Sequence, residues 1–142
     1  RVLFRSWIKM NKFKLIVTTP ERVLISGEVS RVLCKNAVGE FEILAGHQPY
    51  LTATVPTVTR IDDENGESKY LFTSTGLMKV QNNEVTFCVN SAEWPEEIDE
   101  ARAMNAKQRA EERLKNKTDE LDEKRAKLAL ARAMSRLKLK EM

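Results

Sequence analysis

The sequence predicts an α+β protein: an N-terminal β-sandwich or flattened barrel followed by a C-terminal antiparallel two-helix hairpin. Three observations carry this. All five glycines and every aromatic residue lie at or before Trp94. Upstream of that point, short runs alternate apolar and polar residues with period two, the signature of half-buried strands. Downstream, small and apolar residues recur every three or four positions through a charged, alanine-rich stretch, the signature of helices.

Taken in order, Phe13/Leu15/Val17, Tyr70/Phe72 and Val85/Phe87/Val89 are strand segments, each bounded by Pro, Gly or Asn. Asn65-Gly66 is the stronger hairpin signal, because a two-residue turn needs positive φ at both central positions; the Gln81–Glu84 segment is a weaker one. Many short strands with frequent turns imply a sandwich of about eight to ten strands. Pro95 then opens a helix, where its missing N–H costs nothing, and Glu96 and Glu97 suit the positive end of the helix dipole. Ala103/Ala106/Ala110/Leu114 form its inner stripe. Asn116 or Thr118 caps a second helix, whose stripe is Ala126/Leu130/Ala133/Leu137. The alanines let the two backbones approach closely but bury little apolar area, so the hairpin is expected to be weakly held. Glu111–Lys115, Glu120–Lys124 and Glu123–Lys127, each four apart, support the helices one by one. The division expected is residues 1–9 as a non-native leader, 10–94 as the sandwich and 95–142 as the helical unit. The leader reading rests on the adapter-like RVLFRS and on Met10 as a natural start; its alternative is an amphipathic arm using Phe4, Trp7 and Ile8.

Composition excludes several classes. The 142 residues suffice for one domain with an appendage, and a net charge of +3, from 24 basic and 21 acidic residues, gives no overall pull toward nucleic acid or anionic lipid. Cys34 and Cys88 lack metal or redox spacing and are expected to be buried free thiols in a reducing compartment. No apolar run nears the roughly 20 residues of a membrane span, and no signal peptide is expected. The single histidine, His47, has no neighbouring pattern that would make it a catalytic base, and no phosphate-cradling loop, zinc spacing or nucleophile elbow occurs. What remains is arginine. Arg102 has Asp99 three residues before it and Arg109 has Glu112 three after, so ordinary surface pairing accounts for both. Arg132 and Arg136 have no acidic residue three or four positions away and repel each other, an arrangement that an external anion would relieve. From the residues alone, a solvated face and an anion site both stay open.

GEFEILAGHQPYLTA from Gly39, STGLMKVQNNEVTF from Ser74, AEWPEEIDEARA from Ala92 and the closing RAMSRL from Arg132 follow one another in an order that resembles the epsilon subunits of bacterial F-type ATP synthases, over Lys12 to Met142. The chain departs from the family pattern at Glu42, usually glycine, at Ala45, usually proline, and at Ser74-Thr75-Gly76-Leu77, usually Ser-Gly-Gly-Phe-like.

The resemblance implies a β-sandwich followed by two helices, and a non-catalytic subunit of the rotating central stalk, on the cytoplasmic face of the bacterial plasma membrane. There the sandwich would bind the gamma subunit and the ring of c subunits, coupling proton-driven rotation to ATP synthesis. The helices, when extended, would reach the beta subunits and inhibit ATP hydrolysis. By likeness Glu40 and His47 occupy the loop facing the c ring, the alternative for His47 being a turn residue satisfied by local backbone. Ile98, Asp99, Arg102 and Ala103 match the Ile-Asp-x-x-Arg-Ala pattern of ATP-binding epsilon subunits, and Arg109, Arg132 and Arg136 fall where such relatives place nucleotide-contacting arginines. No cofactor is required on this reading; ATP would be a regulatory ligand. A competing class, an RNA-binding or chaperone-like adaptor, would show clustered positive charge interleaved with exposed aromatics, and residues 95–142 have no aromatic and nearly balanced charge.

Overall fold

A computed structural model describes residues 11–142; the expected leader and the alternative arm lie outside the described residues. Among the described residues nine strands precede the helices: β1 Phe13–Thr18, β2 Val23–Lys35, β3 Glu40–Leu44, β4 Tyr50–Thr54, β5 Thr57–Asp63, β6 Ser68–Thr73, β7 Gly76–Gln81, β8 Glu84–Val89 and β9 Ala92–Glu93. A 3₁₀ turn, Pro95–Glu97, leads into α1, Glu100–Lys115, and α2, Glu120–Glu141.

The strands are hydrogen-bonded in the order β4-β7-β8-β1-β2-β5-β6-β9, with β3 also on β2. The 13-residue β2 makes this a sandwich. Its first half pairs with β1, from Val23 to Val29, and its second half pairs with β5 on one side and β3 on the other. A register shift between Val29 and Arg31 marks the bend where the strand passes from one layer to the other. Between the layers lie Phe13, Leu15 and Val17 of β1, Val85, Phe87 and Val89 of β8, and Ile61, Leu71 and Met78, all buried as period-two alternation requires.

The turns correct the sequence reading. Both hairpins form, but the stronger signal does not give the tighter turn. At Asn65-Gly66 only Gly66 has positive φ, +83°, and Asp63 closes a longer loop by accepting from the amides of Asn65 and Glu67 at 2.8 and 3.0 Å. Asn82 and Asn83 instead both take positive φ, 53° and 57°, and make the two-residue turn between β7 and β8. Asn83 also holds one end of the sandwich together: its Oδ1 accepts from Gly46 N at 2.9 Å and its Nδ2 donates to Lys12 O at 2.9 Å. Gly76 is required for a different reason. A Cβ there would stand 2.2 Å from the Cys88 carbonyl oxygen.

The cysteines differ from each other. Cys34 is buried beside Thr59, whose hydroxyl donates to its sulfur at 3.4 Å, and burial pushes its thiol pKa up. Cys88 is exposed, contrary to the expectation. In β8 the inward positions are Val85, Phe87 and Val89, so the intervening residue faces out.

The helices also start later than expected. Pro95 opens a single 3₁₀ turn that ends at Glu97, and α1 begins at Glu100 under an Asp99 N-cap. At the second helix the cap is Asp119, accepting from Asp122 N at 2.8 Å, while Asn116 closes α1 and Thr118 donates to the Asp122 carboxylate. Of the predicted ion pairs Glu123–Lys127 forms at 3.1 Å; Glu111 lies 3.9 Å from Lys107 instead, and Glu120–Lys124 is not made among the described residues. Ala103 and Ala110 of α1 and Ala126 and Ala133 of α2 are buried at the interhelix seam, with the leucines of both stripes only half-buried.

The hairpin is held to the sandwich at its open end. Leu139 of α2 and Ile98 close over Phe72, with Val58 and Tyr70 beside them on the outer face of β5 and β6. Lys140 donates to the Pro95 carbonyl at 3.1 Å. This small apolar cluster is separate from the sandwich core.

Candidate functional site

The Ile98–Ala103 segment is the joint between the two units, and each residue has a distinct place. Ile98 is buried in the docking cluster. Asp99 takes an extended conformation and its Oδ1 accepts from Arg102 N at 3.1 Å, so the carboxylate spends one oxygen on the first turn of α1 and leaves Oδ2 without a partner among the described residues. Arg102 follows in that first turn, and Ala103 faces the seam.

From there a cleft of about 880 Å³ opens between the two helices and the edge of the sandwich. Arg102, Arg109 and Arg113 of α1 face Arg132 and Arg136 of α2 across it; Ala103, Ala106, Ala110 and Ala129 supply the small surfaces that keep it open. The sandwich contributes Arg22 from the β1–β2 turn, Asn90 from the β8–β9 turn and Glu93 from β9. The cleft therefore has its present walls only while the hairpin is docked.

Of the predicted residues, Asp99, Arg102, Ala103, Arg109, Arg132 and Arg136 all line this cleft, whereas Ile98 packs under its rim against Phe72. The charges divide into two groups. Arg136 is not unpartnered, as spacing along its helix suggests: its Nε donates to Glu93, 43 residues upstream, and its guanidinium lies over the Phe72 ring, 4.3 Å from the centroid. Arg22 grips Glu97 with both terminal nitrogens, at 2.7 and 2.9 Å, and donates to Ala92 O at 3.2 Å. That guanidinium, then the Trp94 amide, holds the Glu97 carboxyl below the usual carboxylate range. Arg102, Arg109, Arg113 and Arg132 make no ion pair among the described residues, so the surface pairings expected for Arg102 and Arg109 are absent. Asp99 serves the Arg102 amide rather than its side chain.

Glu40 and His47 stand apart from the cleft and from each other. Glu40 opens β3 and His47 lies in the turn beyond its far end, so they flank a five-residue strand rather than share a loop. The buried Ile43 between them fixes that strand in the sheet. The half-buried His47 ring packs 5.6 Å from Tyr50, and its Nδ1 sits 2.7 Å from Gln48 O.

Sequence reasoning missed Arg22, Glu93 and Arg113. The first two belong to β turns and strands that only the tertiary fold brings to the helices. Arg113 was legible, because it continues the Arg102/Arg109 face at the next four-residue step.

With this geometry in view, the chain matches the family described as "ATP synthase, Delta/Epsilon chain, beta-sandwich domain" over residues 12–95 and "ATP synthase, Delta/Epsilon chain, long alpha-helix domain" over residues 96–141. The chain belongs to the ATP synthase delta/epsilon family. Among relatives, it is 44% identical to the ATP synthase epsilon chain of Clostridium novyi over 105 residues, which is 74% of this chain and 80% of that one. It is 42% identical to the ATP synthase epsilon chain of Clostridium acetobutylicum over 105 residues, 74% of this chain and 79% of that one. A chain in the cryo-EM structure of the Euglena gracilis mitochondrial ATP synthase, OSCP/F1/c-ring in rotational state 1, shares the fold with a TM-score of 0.76 at 21% identity, covering 87% of this chain and 78% of that chain. One in the Tetrahymena thermophila central stalk and c-ring structure gives 0.62 at 15% identity, covering 89% and 95%. A delta/epsilon chain is a coupling and regulatory subunit of ATP synthase, not a catalytic one. Among the described residues no helix is long and apolar enough to cross a membrane.

Proposed function

We propose that this subunit works in the rotating central stalk, its sandwich joined to the gamma subunit and the c ring at the cytoplasmic face of the membrane, and that its hairpin is an ATP-sensing brake on hydrolysis. The observation that carries the sensing part is the cleft itself. Three guanidiniums of the predicted set, on Arg102, Arg109 and Arg132, converge on it without anionic partners, and its wall is completed by the sandwich. Arginine forks match phosphate oxygens bidentately, Asp99 Oδ2 is free to accept from the adenine amino group, and Ala103 leaves room for the ring. A ligand that spans both units binds the docked form only and so raises its population. Falling ATP would release the helices, which in extended form would reach the beta subunits and block rotation; there the same arginines would meet acidic segments. Glu40 and His47 would lie toward the c ring.

Binding of ATP to the full chain, measured by calorimetry, tests the sensor. Saturable binding is expected, weakened about tenfold or more by Arg132→Ala, since a charge-assisted phosphate contact is worth about 1.5–3 kcal/mol. No binding at millimolar ATP, or equal binding by the variant, refutes it.

A further inference from the structure

The cleft does not end at its own last arginine. A second cleft of about 610 Å³ lies nearer the interhelix turn, and it shares Arg109 and Arg113 with the first while adding Arg125 and Lys117. The two helices carry the same spacing: Arg102, Arg109 and Arg113 on α1, Arg125, Arg132 and Arg136 on α2, each a step of seven and then four. In an antiparallel hairpin these two rows run past each other, so the like charges form a ladder along the seam. From Arg102 to Arg113 it extends about 16 Å along the helix axis, at the usual rise per residue. A triphosphate by itself, without the base and ribose, is shorter than that row.

Resting on the reading of the first cleft as a phosphate site, we infer that the two clefts form one groove for a linear phosphate chain of more than three phosphates. The acidic residues of the second cleft do not cancel its charge. Lys117 is paired with Glu123 at 3.2 Å, which leaves the three guanidiniums of Arg109, Arg113 and Arg125 against the two carboxylates of Glu112 and Asp122, the latter also accepting from the Thr118 hydroxyl at 2.5 Å. Arg125, like Arg109 and Arg113, has no ion pair among the described residues. Guanidiniums four apart on one helix repel, and an anion that bridges successive rungs relieves each repulsion in turn. A phosphate chain has the right form for this: it is narrow, carries charge on every unit, and offers each arginine a pair of oxygens. Free inorganic polyphosphate and a nucleoside bearing a longer phosphate chain share that chemistry.

The test is calorimetry on the full chain at one ionic strength, with ATP, inorganic tripolyphosphate, adenosine tetraphosphate and an inorganic polyphosphate of defined longer length. The longer inorganic chain is expected to bind about tenfold tighter than tripolyphosphate, because added rungs add charge-assisted contacts. Arg125→Gln should remove that gain and leave ATP within about twofold, Arg125 being outside the first cleft. Lys124→Gln, next to it but lining neither cleft, controls for bulk charge. A gain with adenosine tetraphosphate over ATP assigns the occupant to nucleosides; a gain confined to the inorganic chain assigns it to free polyphosphate. Absence of any length preference overturns the inference, as does equal loss in Arg125→Gln and Lys124→Gln. If ATP fails to bind while the long chain binds through Arg125, the groove stands and the nucleotide sensor falls; the converse result leaves the sensor and removes the groove.

Discussion

Arg136 joins two jobs that compete. Its guanidinium pairs with Glu93 and lies over Phe72, so with no ligand bound it already fastens α2 to the sandwich, although it also lines the cleft. A phosphate reaching it would have to displace a partly buried carboxylate, which places the phosphate-binding weight on Arg102, Arg109 and Arg132. Arg136→Ala should therefore loosen docking by about 1–2 kcal/mol, the sum of a half-exposed ion pair and a cation–π contact. Hydrogen exchange at the last turns of α2 would rise by the corresponding factor; unchanged protection would show that the pair contributes nothing. The sequence made Arg136 visible as an arginine lacking a partner on its own helix, and hid Glu93, because a contact across 43 residues leaves no local spacing to read. The same limit explains Arg22. Cys88 failed for a different reason, since an apolar side chain between buried neighbours in a strand faces outward by the alternation itself.

At the scale of elements, the strands were legible and their ends less so. Period-two alternation located β1, β6 and β8, while the caps went to the residue that could fold back on the helix, Asp99 and Asp119, rather than to the predicted Pro95 start or Thr118. A carboxylate competes well there because it accepts an amide hydrogen bond and meets the positive end of the dipole. The 3₁₀ turn between sandwich and α1 is pinned by Glu97, which accepts from Trp94 N at 2.8 Å and pairs with Arg22. Its folded pKa is depressed, so the stabilisation from this pin is full above the ordinary carboxylate range and is lost as pH falls through the depressed value. Both side chains are partly solvated and salt screens the pair, so the effect on global stability is small. An NMR titration of the Glu97 carboxyl should show a midpoint below that of an exposed glutamate, returning toward the ordinary range in Arg22→Ala. An ordinary midpoint in the parent chain, or no change in the variant, would mean that the pin does not hold in solution.

For the molecule as a whole, the two-part organisation was plain from the composition break at Trp94, but the cleft was not, because it belongs to neither part. Its walls come from both, and among the described residues a small apolar cluster, Phe72, Ile98 and Leu139 with Val58 and Tyr70, keeps them together alongside Arg136 and the Lys140–Pro95 hydrogen bond. Burying a side chain such as leucine is worth about 1.5–3 kcal/mol, so docking by so few residues amounts to a few kcal/mol once ordering costs are set against it. A ligand at a hundred times its Kd contributes about 2.7 kcal/mol to the form it binds. The two magnitudes are comparable, which is the condition for a ligand-driven shift between docked and released hairpins. Leu139 offers a way to test the coupling without touching the cleft, since it lies in the docking cluster and does not line the site. Leu139→Ala should weaken docking by about 2–3 kcal/mol. The apparent Kd for ATP should then rise by the reciprocal of the remaining docked fraction, with intrinsic contacts unchanged, and saturating ATP should restore exchange protection to α2. If Leu139→Ala releases the hairpin and ATP affinity stays as it was, ligand binding and docking are separate events, and the cleft does not report ATP to the rest of the enzyme.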